Sequence, residues 1–123
     1  MRAETLGNSC PIGGQMILLI LVLLQTPQPE VLKSYNCSGI SGGRSYETVL
    51  TVSERGKNFL LNWNDGNQGM GFRTDNKLAV VFLTPKGGLG VVLYTITHGR
   101  MEGLWAGGDG QIYPENCVAG IPA

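Results

Sequence analysis

Histidine is nearly missing from this 123-residue chain; His98 is the only one. General acid–base chemistry leans on histidine near neutral pH, so it starts here with a single candidate. Cysteine is also scarce, at positions 10, 37 and 117. There is no Cys/His cluster to hold zinc and no C-x-x-C redox pair. Charge of either sign is low, with nine Lys/Arg against nine Asp/Glu. Without a basic stripe, nucleic acid has no electrostatic footprint to bind, and anionic lipid has no polybasic cluster to attract it. No apolar run approaches the roughly 20 residues that cross a bilayer as a helix. From residue 34 onward no segment repeats at helical spacing. "GGLG" (87–90) and "GGDG" (107–110) open no helix and lack the Gly-Lys-Ser/Thr of a phosphate loop. No cofactor is expected.

What is abundant is glycine, with 19 residues spread between short apolar runs. That spread reads as many tight turns rather than a linker. Before them lies "MILLILVLLQ" (16–25), followed by the helix-breaking "TPQPE". A run of this length fits the apolar region of a secretory signal. Residues 1–29 are therefore read as a targeting segment and 30–123 as one domain, with Met16 as a possible true start. Export to a periplasmic or extracellular location is expected. The alternative is an uncleaved N-terminal membrane tether, which also keeps the domain outside the cytosol. Loss of this segment would remove Cys10 and leave Cys37 and Cys117, an even pair that reads as one structural disulfide in an oxidising compartment.

The body alternates strand and turn. In "SYETVLTVS" (45–53), Tyr46, Thr48, Leu50 and Val52 share one face. In "NFLLNWN" (58–64), Phe59, Leu61 and Trp63 do the same. Period two over such lengths marks half-buried strands. "DGN" (65–67) carries the Asp-Gly signal of a type I′ hairpin turn. "KLAVVFLT" (77–84) and "LGVVLYTI" (89–96) are apolar on both faces. They are expected to be the most buried strands, or to pack their outer face against something, and an interface is one such use. Pro114 in "QIYPENC" (111–117) points to an edge or a bulge. About eight short strands with hairpin-length loops predict an all-β, antiparallel, up-and-down barrel of lipocalin or avidin type. Closure brings the first and last strands together, so Cys37 and Cys117 would clasp the seam.

Candidate chemistry is sparse. His98 sits in "THGR", a turn tip, with no sign of a nucleophile beside it. Asp65, Asp75 and Asp109 occupy turn positions, where Asp bonds locally. Glu102 lies within a strand and points either outward, the plainer placement, or into the lumen, where it would need a partner such as Arg73 or Arg100. Trp63 and Trp105 have the parity of lumen residues, and Gly69, Gly71 and Gly103 would leave room beside large rings. Core filling is one use of these rings; the other is a ligand pocket that adds a few polar groups. The candidate ligand-binding set is Trp63, Phe72, Arg73, Glu102 and Trp105, with Asn62 as a further polar group. No catalytic residue is assigned.

"GLGVVLYTI…GRMEGLWAGGDGQIYPE" and "FLLNWNDGNQGMGFRTDNKLAVVF" resemble small exported bacterial domains. Those domains carry a V-V-V-Y-x-I, G-x-L-E-G-x-W, G-G-x-G pattern, and they are loosely labelled fibronectin-binding-like or uncharacterised. The resemblance covers about residues 44–116 and implies a small lipocalin-like or avidin-like barrel; it supplies no catalytic residues. Met101 stands where the pattern has Leu, and the terminal cysteine pair is particular to this chain. The expected function is non-enzymatic: an exported binding or envelope-associated module whose partner is an extracellular or envelope protein. The alternatives are a carrier of a small apolar ligand in the lumen, and an enzyme or enzyme inhibitor.

Overall fold

A computed structural model describes residues 27–120. The signal-like run, Met16 and Cys10 lie outside these residues. The described chain forms eight strands: β1 (Ser34–Ser41), β2 (Arg44–Arg55), β3 (Asn58–Trp63), β4 (Gln68–Thr74), β5 (Lys77–Leu83), β6 (Leu89–Thr97), β7 (Arg100–Ala106) and β8 (Ile112–Ala119). Each pairs antiparallel with its chain neighbours, and β8 pairs with β1 to close the barrel. The seam puts Cys37 directly opposite Cys117. Their sulfurs are bonded, with Cα atoms 4.0 Å apart. The expected fold and its clasp are both present.

Strand alternation places the core. Tyr35, Leu50, Leu61, Leu78, Ile96 and Met101 are fully buried inside, each at a position of the right parity in its own strand. Pro114 fits because the β1–β8 ladder ends at Gly39↔Glu115. The missing N–H therefore falls where β1 no longer asks for a donor. The expected type I′ turn at Asp65-Gly66 does not form. Gly66 has positive φ (100°), while among the described residues Asp75 is the one non-glycine with positive φ. Instead the Gly66 N–H donates to the Trp63 carbonyl (3.0 Å) and the Asn67 N–H to the Asp65 side chain (3.0 Å), a four-residue loop rather than a two-residue one.

The outer surface is divided. Outward residues of β1–β3 are largely polar, such as Asn36, Ser38, Glu47 and Asn62. Across β4–β8 the ladder register lines up two rows: Met70, Val81, Val91, Ala106 and Ile112, then Phe72, Ala79, Leu93, Leu104 and Pro114. The next row is polar throughout: Thr74, Lys77, Thr95, Glu102 and Asn116. Two sequence expectations are corrected here. Phe72 is 56 % exposed on the outer face and lines no lumen. Glu102 is also exposed, in the polar row, so its placement is the outward one and it takes no part in an interior site. Strands β5 and β6 are not buried on both sides, since Val81, Leu83, Leu89, Val91 and Leu93 are exposed.

Candidate ligand-binding site

The two ends of the barrel differ. At one end lie the β2–β3, β4–β5 and β6–β7 turns and the entry of β1. The segment before β1 folds across this end. Val31 and Leu32 pack against the core. The Leu32 N–H donates to Tyr35 Oη (2.7 Å), and Arg73 Nη1 donates to the Pro29 carbonyl (2.5 Å). Arg73 Nε donates to the Asp75 carbonyl (2.6 Å). Burial pushes the Tyr35 hydroxyl pKa up, with the Leu32 N–H and the Arg73 charge opposing it. Arg73 is thus an inward residue at the closed end, holding the plug rather than a ligand. His98 is exposed in the β6–β7 turn at this same end.

The other end is open. A cavity of about 330 Å³ enters between the β1–β2, β3–β4, β5–β6 and β7–β8 loops. Trp63, Phe82, Val92, Tyr94 and Trp105 form its walls, Glu115 and Tyr46 its floor, and Asp65, Asn67 and Thr84 part of its rim. Trp63 and Phe82 meet edge to face at 5.9 Å, and Phe82 and Trp105 at 6.1 Å. Trp105 packs on Tyr113 at 4.8 Å. Such geometry is the favoured one for aromatic pairs.

Glycines allow these rings to lie flat on the barrel wall. A β-carbon on Gly103 would lie 2.6 Å from the Tyr94 ring. One on Gly39 would strike Tyr46, and one on Gly90 would strike Phe82. In each case the glycine is on the strand next to the aromatic residue. Gly69 stands likewise beside Trp63 (3.1 Å). The expected relation of Gly69 and Gly103 to large rings is what the packing contains; Gly71 is instead covered by Val80 (2.7 Å).

The floor is a polar cluster. Glu115 is 6 % exposed. Its Oε1 accepts from Tyr46 Oη at 2.7 Å. Its Oε2 accepts from Trp63 Nε1 at 3.3 Å and from Tyr94 Oη. Both oxygens are acceptors in these bonds. Burial and, behind it, the Glu115 charge push the Tyr94 hydroxyl pKa well up. The Tyr46 hydroxyl is pushed far up by burial first and then by its hydrogen bond to Glu115. Both phenols are therefore held as neutral donors. Trp105 Nε1 is buried with no acceptor among the described residues. Cys37, Cys117 and Glu115 converge, but the two sulfurs are joined, so no thiolate is present to bind metal.

Of the residues expected to bind a ligand, the cup contains Trp63 and Trp105. It excludes Phe72, Arg73, Glu102 and Asn62. Sequence reasoning missed Glu115, Tyr46, Phe82 and Tyr94 as site residues. A signal for Glu115 was present: it lies two residues before Cys117, and a cross-strand disulfide that faces inward sets Glu115 inward too. No family model, no curated protein and no solved structure matches the chain.

Proposed function

We propose that the protein is an exported, non-enzymatic β-barrel binding module that holds a small ligand in its open end. The observation that carries this reading is the cup: an aromatic wall over a buried polar floor, in a barrel whose opposite end is plugged. Cavities of about 300–1,000 Å³ with apolar walls and a few convergent polar groups are the usual form of small-molecule sites. The disulfide is consistent with an oxidising compartment. Glu115 is engaged by neutral donors rather than by a nucleophile or base, and His98 lies at the far end, which favours binding over catalysis. The likeness to exported bacterial barrel domains belongs to this proposal as well.

The test is a titration with fragment-sized compounds of each charge class, read by the indole N–H resonances of Trp63 and Trp105. Saturable shifts of both indoles are expected, weakened at least about tenfold by Trp105→Ala, a change of about 1.4 kcal/mol. If no compound shifts them, or Trp105→Ala leaves the affinity unchanged, the reading is wrong.

A further inference from the structure

We propose that the cup selects a small organic cation, an ammonium head on a compact apolar body, with Glu115 as its charge partner. This rests on the cup being a binding site. The donors to Glu115 are all uncharged: two phenols and an indole. Among the described residues none lining the cavity is cationic, and Asp65 adds a second acid at the rim. Arg44, at the start of β2, and Lys86, in the β5–β6 loop, lie at this end but are exposed and do not line the cavity. A buried carboxylate without a cation is an unfavourable charge, and a ligand can supply the missing one. Three donors also leave one of its about four acceptor directions unused. The walls suit the same ligand, because aromatic faces attract cations, most of all where water is excluded.

Three probes of nearly one shape decide it: choline, the neutral 3,3-dimethylbutan-1-ol and the anionic 3,3-dimethylbutanoate. Choline is expected to bind at least about tenfold more tightly than the alcohol. The butanoate is expected to bind most weakly. Glu115→Gln, which keeps the acceptor for Tyr94 or Tyr46, should bring choline down to the level of the alcohol. The probe series on the unaltered protein stands even if that variant fails to fold. If the alcohol binds as well as choline, the cation inference fails and the cup survives. If choline shifts neither indole at tens of millimolar, the inference also fails, and the wider fragment set then judges the cup alone.

Discussion

The two ends of one barrel are built from the same kind of strand and finished in opposite ways. At the closed end the interior is mostly aliphatic, with Leu78, Ile96 and Met101 fully buried beside the ring of Tyr35, and the plug bonds to Tyr35 and Arg73. At the open end the inward positions alternate between large aromatics and glycine, so the rings lie against the wall and leave a hollow. Among the described residues, only that end buries a carboxylate, Glu115. The difference teaches that space in a small barrel is made by pairing extremes of size across neighbouring strands, not by shortening every side chain. Aliphatic residues of middling size fill the lumen from all sides.

Breaking the seam should harm both ends together and by the largest amount. The Cys37–Cys117 bond spans a sequence separation of 80. Replacing both cysteines with serine is expected to lower stability by about 4 to 5 kcal/mol in the chain-entropy account. Urea unfolding, with and without reductant, measures it. A much smaller loss would mean that the β1–β8 ladder alone holds the seam.

The seam is also where the sequence was most legible. Closure of eight short strands requires β1 beside β8, and the cysteine positions agree. Tyr46, Leu50, Leu61, Trp63 and Trp105 face inward as alternation requires. Strand β4 shows where this reading ran out. In "QGMGFRT" the large apolar residues Met70 and Phe72 are outside, and the inward positions are Gly69, Gly71 and Arg73. Trp63 and Val80 leave no room for larger side chains at the two glycines. That crowding comes from neighbouring strands and is invisible in β4 itself. The same holds for Phe72, whose type suggests a core residue while its parity does not. Glu102 and Glu115 show the matching limit for charge. The one in the regular apolar strand is solvated, and the one beside a proline is buried.

Filling a glycine at the open end should sharpen the contrast. At Gly103 a β-carbon meets the Tyr94 ring, whose hydroxyl bonds Glu115. Gly103→Ala is expected to cost about 1 to 3 kcal/mol, as overpacking does. It should also disturb the cup, because Tyr94 must move. Gly56→Ala, at a closed-end turn with positive φ (61°) and open space around it, should destabilise without touching the cup. Thermal unfolding and the Trp63 indole resonance together separate the two outcomes.

Alkaline pH should act next. Tyr35, Tyr46 and Tyr94 all have raised pKa in the fold, chiefly through burial. In the unfolded chain a tyrosine ionises near 10. Their stabilisation is therefore complete below about pH 10 and is lost as pH rises above it, because only the unfolded state releases the protons. Absorbance at alkaline pH should show these three phenols ionising together with unfolding, and Tyr46→Phe should shrink the pH slope. Independent ionisation of all three in the folded protein would contradict the buried floor.

The smallest and most discriminating test compares one hydroxyl at each end. Tyr35→Phe removes the acceptor of the Leu32 N–H, and the net loss of a neutral hydrogen bond is about 1 kcal/mol. Tyr46→Phe removes the donor to Glu115 Oε1, and a bond to a charged group is worth about 1.5 to 3 kcal/mol. Tyr46→Phe should therefore lose the more stability, but stability alone does not show that the ends act separately. Ligand response does. Tyr35→Phe leaves Glu115 with its full set of donors, and choline affinity should stay as it was. Tyr46→Phe strips one oxygen of Glu115 and leaves a carboxylate more in need of a cation, so choline should bind more tightly while the neutral alcohol does not. Equal responses of the two variants to choline would mean that the ends are not separate and that the plug reaches the floor of the cup.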